Sequence, residues 1–214
     1  LGQGDRIVTL AAALACTYKK IPFAHMHGGE KSGTLDETIR HTITKLSDIH
    51  FPSTKKSYDR IIKLGEIKKN IHLVGSTAAE FVYTQKFLNK KEVFDKINIK
   101  KSFNNYVVLL YNPDNSRQEL NVKDVQIIVN QINIFRLNTI IIYPNNDPFS
   151  DNLIKYYNSI KKRNNIVLIK NLPFKLYLSL LKNSKFLIGN SSGGIIETPT
   201  LGIPNLLIGY RQLG

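Results

Sequence analysis

Lys185-Phe186-Leu187-Ile188-Gly189-Asn190-Ser191-Ser192-Gly193-Gly194-Ile195-Ile196-Glu197 is the stretch on which the reading of this chain turns. Its apolar opening reads as a buried strand, and Ile195, Ile196 and Leu201 suit a helix over Gly193 to Leu201 that Pro204 would stop. A strand, a glycine-rich turn and a helix start make an anion cradle, because a helix N-terminus offers unpaired N–H groups and the positive end of its dipole. The hydroxyls of Ser191 and Ser192 add donors, and Gly193 and Gly194 let the backbone come close to a bulky diphosphate. Glu197 would lie beyond the phosphates, where a carboxylate accepts hydrogen bonds from ribose hydroxyls. The same run also reads as an ordinary N-cap and turn, so its neighbours must decide between the two.

Outward from this stretch, strand-like and helix-like segments alternate, the grammar of an α/β protein with parallel sheets. Strands are expected at Tyr106 to Tyr111, Thr139 to Tyr143, Asn165 to Ile169, Lys185 to Ile188 and Asn205 to Ile208. Helices at Gln118 to Phe135, Ser150 to Lys161 and Phe174 to Leu181 separate them, completing a Rossmann-like domain over residues 106–214 whose closing helix is missing. Residues 89–105 read as a charged connector. Residues 1–88 read as the C-terminal part of a first, truncated Rossmann-like domain. It holds helices at Ile7 to Tyr18, Asp36 to Ser47 and Lys55 to Leu64, and strands at Ile21 to His27, Ile49 to Pro52 and Ile71 to Val74. The chain starts at Leu1, in what reads as a strand-to-helix turn, and stops in an apparent loop, as an internal piece of a longer protein would.

Composition bounds the function. With 214 residues and 42% hydrophobic content the chain can bury one large or two small cores. The formal net charge of +14 favours anionic partners, nucleic acid among them. Yet Lys and Arg are scattered over helical surfaces, without a stripe interleaved with aromatics, which points to solvated faces rather than to a nucleic-acid partner. No apolar run is long enough for a membrane helix and no signal peptide is legible, so a cytoplasmic location without membrane contact is expected. Cys16 sits among alanines and reads as a small buried hydrophobe. No Cys/His metal spacing is present.

Ligands of parallel sheets bind beyond the carboxyl ends of the strands, and polar residues gather there. Gly4-Asp5-Arg6 sets a carboxylate beside a guanidinium, with Asp5 either a helix cap or a functional acid. His25-Met26-His27-Gly28-Gly29-Glu30 and Gly33 to His41 bring Glu30, Asp36, Arg40 and three histidines to successive strand ends. His25 and His27 share a strand face, as a metal pair would, but no third ligand is spaced to join them, which favours a structural or acid–base role. Asp36 also suits an N-cap, and Arg40 and His41 suit support of the fold. In the second half Asn112, Asn145, Asn171 and Arg211 follow strands and ring the serine pair; the fork of Arg211 matches diphosphate oxygens.

Taken together, Gly4-Asp5-Arg6, His25 to Glu30, Gly33 to His41 with Lys45, Gly189 to Glu197, and Gly202-Ile203-Pro204 on to Arg211-Gln212 resemble the UDP-N-acetylglucosamine 2-epimerase family. The resemblance is strongest to the hydrolysing branch used in sialic and legionaminic acid synthesis. It implies two Rossmann-like domains in a GT-B-like arrangement with the active site in the cleft between them, a UDP-linked 2-acetamido sugar as substrate, no cofactor or metal, and a homo-oligomer for the full-length protein. It makes Asp5 a catalytic carboxylate, Asp36 a second acidic residue and Arg6 a neighbour of the nucleotide. Ser191, Ser192, Glu197 and Arg211 match UDP-binding positions, and Arg40 and Asn145 join the substrate-binding set. Two positions depart from the pattern. His27 stands where many members carry a catalytic Glu, with Glu30 close by, and Asn112 replaces a His at the phosphates. Asn171 takes the place of another His found in some relatives. A non-hydrolysing epimerase, a glycosyltransferase of the same fold and a UDP-binding protein without turnover are the alternatives.

Overall fold

The computed structural model describes residues 1–214 except 32–34, 102, 115–117, 146–148 and 213–214. Gly33 and Thr34, at the start of the Gly33 to His41 stretch above, therefore lie outside the described residues. The chain is α/β, with two parallel sheets in two compact units, one spanning Leu1–Glu80 and the other Phe81–Gln212.

The first unit contains β1 (Gly2–Gln3), α1 (Ile7–Lys19), β2 (Ala24–Met26), α2 (Leu35–Lys45), β3 (Ile49–Phe51) and α3 (Lys55–Lys63), followed by α4 (Thr77–Thr84) across the boundary. Its sheet runs β1-β2-β3, all parallel, with His25 opposite His50. Ala13, Phe23 and Ile43 form its small core, and Cys16 packs against them half-buried. The strand expected at Ile71 to Val74 is reduced to a parallel bridge from Ile71 to His50 and backbone bonds from His72 to His50 and Val74 to Pro52.

The second unit contains α5 (Lys90–Lys96), β4 (Val107–Leu110), α6 (Asn121–Ile134), β5 (Thr139–Ile142), α7 (Ser150–Ile160), β6 (Ile166–Ile169), α8 (Phe174–Lys182), β7 (Leu187–Gly189), α9 (Glu197–Leu201) and β8 (Asn205–Leu207). Its strands order β6-β5-β4-β7-β8, all parallel. Runs such as Thr139-Ile140-Ile141-Ile142 are buried throughout because helices cover both faces. Alternation along each strand divides the core: Val107, Leu109 and Ile141 pack with α6 and α7, whereas Val108, Ile140 and Ile142 pack with α5 and α8. The stretch expected to be a connector thus carries a helix whose Val93 and Phe94 belong to this core. Asn89 and Glu92 close a capping box at its start. No helix of the described residues is long and apolar enough to cross a membrane.

The helix expected over Gly193 to Leu201 is broken in two. Ser192–Gly194 form a 3₁₀ turn and only Glu197–Leu201 are α-helical, ending at Gly202 in the left-handed region rather than at Pro204. Two glycines in succession favour no helix, and Gly194 packs so closely on the Asn205 amide that a side chain there would collide with it.

Candidate functional site

In the second unit the strand order reverses between β4 and β7, and in such sheets the crevice for a ligand opens at that point, beyond the carboxyl ends of the strands. Asn190, directly after β7, spans it: its side-chain Oδ1 accepts from Asn112 N–H at 2.7 Å and its Nδ2 donates to the Asn112 carbonyl at 2.7 Å. Asn112 Oδ1 in turn accepts from Asn145 N–H at 3.0 Å, which ties the loops after β4, β5 and β7 into one frame. Gln212 closes it from the turn after β8, its Nε2 donating to the Asn190 carbonyl.

Beside this frame is a cavity of about 420 Å³. Asn145, Asn171, Ser191, Ser192 and Glu197 line it together with Tyr143, Lys170, Phe174, Tyr177 and Gly193. Ser191 Oγ accepts from Gly193 N–H, so that hydroxyl is partly committed to capping the turn, whereas Ser192 is exposed. The N–H groups of Gly194, Ile195 and Ile196 bond back within the turn. The expected bundle of free helix donors is therefore absent here; the hydroxyls, the asparagine amides and the Lys170 ammonium are what the cavity offers an anion. Phe174 and Tyr177, on the first turns of α8, stack with ring centroids 6.1 Å apart and present an aromatic wall.

Glu197 Oε2 and the Tyr177 hydroxyl are buried without a hydrogen-bond partner among the described residues. Burial pushes the Glu197 carboxyl upward, against the opposing effect of its own backbone N–H, and burial with the charge of Glu197 raises the Tyr177 phenol. Gly193 leaves the space these groups share: a β-carbon there would stand 2.5 Å from the Tyr177 oxygen and 3.1 Å from Glu197 Oε2. Unsatisfied acceptors of this kind call for hydroxyl donors from a ligand.

Among the second-unit residues expected to bind substrate, Asn112 is only 2% exposed and builds the frame instead of lining the cavity. Arg211 is half-buried in the turn after β8 and is also not a lining residue. Tyr177 and Lys170 were missed by sequence reasoning. The signal for Tyr177 was its spacing from Phe174, which places both on one helix face.

In the first unit a polar network gathers at the carboxyl ends of β1 and β2. Arg40, buried on α2, pairs with Asp5 through one guanidinium nitrogen and donates to the Glu30 carbonyl at 2.9 Å through the other. Asp5 is not a helix cap, since Arg6, which is exposed, occupies the N-cap position of α1. Glu30 Oε1 meets His27 Nδ1 at 3.2 Å and accepts from Ser53 Oγ at 2.6 Å. His27 Nε2 meets Thr77 Oγ1 at 2.9 Å, and its backbone is left-handed at φ 62°. Burial raises the Glu30 carboxyl, but the bonds from His27 and Ser53 and the charges of His27 and Arg40 outweigh it and hold the group below its usual range. Glu30 is thus an ionised carboxylate beside an imidazole, the equipment of proton transfer. Asp36 is exposed in the first turn of α2, one residue inside the helix rather than at its cap.

His25 is fully buried. Gly4 C=O can only accept, so His25 Nε2–H donates to it at 2.8 Å, leaving Nδ1 unprotonated 3.1 Å from Thr44 Oγ1, whose one proton it shares with the Arg40 carbonyl at 3.0 Å. With both ring nitrogens engaged by the fold, His25 is structural and the metal-pair reading of His25 with His27 finds no support.

The family model described as UDP-N-acetylglucosamine 2-epimerase matches residues 1–214. The UDP-N-acetylglucosamine 2-epimerase of Neisseria meningitidis is 32% identical over 98% of this chain and 55% of its own length. The GDP/UDP-N,N'-diacetylbacillosamine 2-epimerase (hydrolyzing) of Campylobacter jejuni is 33% identical over 99% of this chain and 56% of its own. The crystal structure of the Neisseria meningitidis UDP-GlcNAc 2-epimerase bound to UDP-GlcNAc superposes with a TM-score of 0.80 at 21% identity, covering 98% of this chain and 59% of that one. The chain spans just over half the length of the curated relatives it matches. Matched from end to end by the family model and alike in both sequence and fold, it belongs to the UDP-N-acetylglucosamine 2-epimerase family.

Proposed function

We propose that the whole protein is a hydrolysing 2-epimerase of a UDP-linked 2-acetamido sugar, acting as a homo-oligomer and without metal or cofactor. The observation that carries the nucleotide half is the cavity of the second unit, where buried, unpartnered Glu197 Oε2 and Tyr177 OH face the space beside Ser191 and Ser192. Glu197 and Tyr177 receive the ribose hydroxyls, the Phe174–Tyr177 wall lies against the base, and Ser191, Ser192 and Lys170 hold the diphosphate. Asn145 and Asn171 complete the polar lining. Arg6 and Arg211 are proposed to reach the nucleotide as well, and Asn112 serves it through the frame.

Proton transfer falls to the network of Asp5, Arg40, Glu30 and His27, with Asp36 as a further acid. A carboxylate of this set takes the C2 proton. The C1–O bond to UDP breaks, a C1=C2 double bond forms, and the diphosphate carries away the electron pair. Water then adds its hydroxyl to C1 while a proton is delivered to C2 from the opposite face, giving a free sugar inverted at C2. The ionised state of Glu30 suits the accepting step, and the Glu30–His27 contact gives the proton a path to a second group. Stabilisation of the departing diphosphate is electrostatic and belongs to the serine hydroxyls and Lys170. The hydrolysing reading takes its support from the likeness to the Campylobacter jejuni enzyme named as hydrolysing, at 33% identity, beside the Neisseria meningitidis enzyme at 32%, which is named without that word.

Incubation of the full-length protein with UDP-N-acetylglucosamine alone tests the reading. Release of UDP together with a free 2-acetamido sugar supports it. An absolute need for an acceptor would identify a glycosyltransferase, and interconversion of UDP-sugars without UDP release a non-hydrolysing epimerase.

A further inference from the structure

A second concavity, of about 620 Å³, lies along β6 at the edge of the five-stranded sheet. Five lysines surround it: Lys100, Lys101, Lys161, Lys162 and Lys170. Among the described residues no carboxylate lines it, and none of the five lysines belongs to an ion pair. The Lys101 ammonium is fixed at one end by donating to the carbonyls of Arg163 and Ile166, both at 2.8 Å, which orders the charge without neutralising it. Between the lysines the wall is partly apolar. Ile99, Val167 and Leu168 line it alongside Asn98 and Asn158, and Val167 and Leu168 are half-buried where every residue of the neighbouring β5 is buried.

We propose that this groove is a docking site for an acidic peptide segment of another protein, extended along β6 with its carboxylates toward the lysines. Besides Lys170, which is given to the diphosphate, four ammonium groups without an ion pair among the described residues surround one groove and repel one another, and a polyanion relieves that repulsion. An edge strand with half-buried apolar residues is the usual receiver of an extended peptide. Single-stranded nucleic acid suits the groove less, because it binds through stacking platforms. The one aromatic residue in the lining, Tyr143, is half-buried with its hydroxyl donating to Asn158 at 2.7 Å. A second copy of the chain suits it least, since pairing two β6 edges would set five lysines against five.

The test is fluorescence anisotropy of the full-length protein with a labelled peptide of alternating Glu and Val, an oligothymidylate of equal length and a peptide of alternating Lys and Val. The acidic peptide is expected to bind at about 50 mM salt, to weaken about tenfold or more at about 300 mM, and to exceed both other probes by about tenfold. Lys161 and Lys162 are exposed and lie outside the nucleotide cavity. The double variant Lys161→Glu/Lys162→Glu should lose about tenfold or more of the peptide affinity, and Lys161→Ala/Lys162→Ala should lose less, with unchanged UDP release and unfolding midpoint. No acidic-peptide binding at low salt, tighter binding of the oligothymidylate, or affinity unaltered in the charge-reversed variant would each overturn the proposal.

Discussion

Asn190 grips the backbone of Asn112 with both ends of its amide, donating to the carbonyl and accepting from the N–H at 2.7 Å each. The two residues are 1% and 2% exposed and sit where the strand order of the second sheet reverses. A side chain here does what a backbone ladder does within a sheet: it satisfies the first polar groups beyond β4 and sets the width of the crevice.

Asn190→Ala leaves both Asn112 backbone groups unpaired in a buried place. It is expected to destabilise the second unit by about 3 kcal/mol, read as a lowered denaturant midpoint. Asn190→Asp keeps an acceptor for the N–H but turns the donor into a second oxygen facing a carbonyl, so it should be no milder. A loss below about 1 kcal/mol in both variants would mean that the amide grip is incidental.

Gly189 and Gly202 separate two reasons for a glycine. At Gly189, φ is 147° and a β-carbon would collide with the Leu110 carbonyl oxygen of the paired strand, whereas Gly202, at φ 68°, has open space around it. Gly202→Ala should cost about 1 kcal/mol, the strain of a left-handed residue alone. Gly189→Ala should cost more than about 4 kcal/mol, because β4 and β7 cannot keep their spacing. Equal effects on thermal unfolding would contradict the close approach.

Acid should loosen the first unit before the second. Burial lowers the His25 pKa from 6.5 to about 4, with the Gly4 carbonyl opposing and the His50 charge assisting, and burial lowers His50 as well despite Glu66. A group whose folded pKa is depressed binds its proton more readily when unfolded. The neutral-His stability is thus complete above about pH 6.5 and is lost as pH falls toward 4, by about 3 kcal/mol at most for His25. Unfolding midpoints at pH 7 and pH 5 should fall in that order, and the His25 ring resonances of the folded protein should not titrate above pH 5. A stability independent of pH across this window would remove the burial argument.

Ser192→Ala tests the anion side of the cavity. Ser192 is exposed while Ser191 helps cap the turn, so the substitution should leave the fold intact and weaken UDP about tenfold by calorimetry. Unchanged affinity would take Ser192 out of the diphosphate contacts.

The sheets were legible because parallel strands buried on both faces are written as apolar runs, and Val107 to Leu110 and Thr139 to Ile142 left little choice. Helix α5 was hidden by charge: Lys90 and Lys91 look like a linker, and its start signal is the spacing of Asn89 and Glu92. The break at Gly193-Gly194 depends on tertiary contact with Asn205, which no local pattern announces. Strand-end position groups Asn145, Asn171, Ser191, Ser192 and Glu197, and these five line one cavity. It could not say that the Asn112 side chain would turn to the Asn145 backbone, since that depends on how adjacent loops lie in space. Likewise the partner of Asp5 proved to be Arg40, far along the chain, rather than the helix beginning beside it.

The most direct measurement is proton NMR of the sugar formed when the full-length protein acts on UDP-N-acetylglucosamine in deuterated water. Hydrolytic epimerisation gives free UDP and a free sugar inverted at C2 that carries solvent deuterium there, and Asp5→Asn should abolish both while UDP still binds. A released sugar that retains its C2 configuration and its original hydrogen would contradict proton transfer at C2 and, with it, the roles given to Asp5, Glu30 and His27.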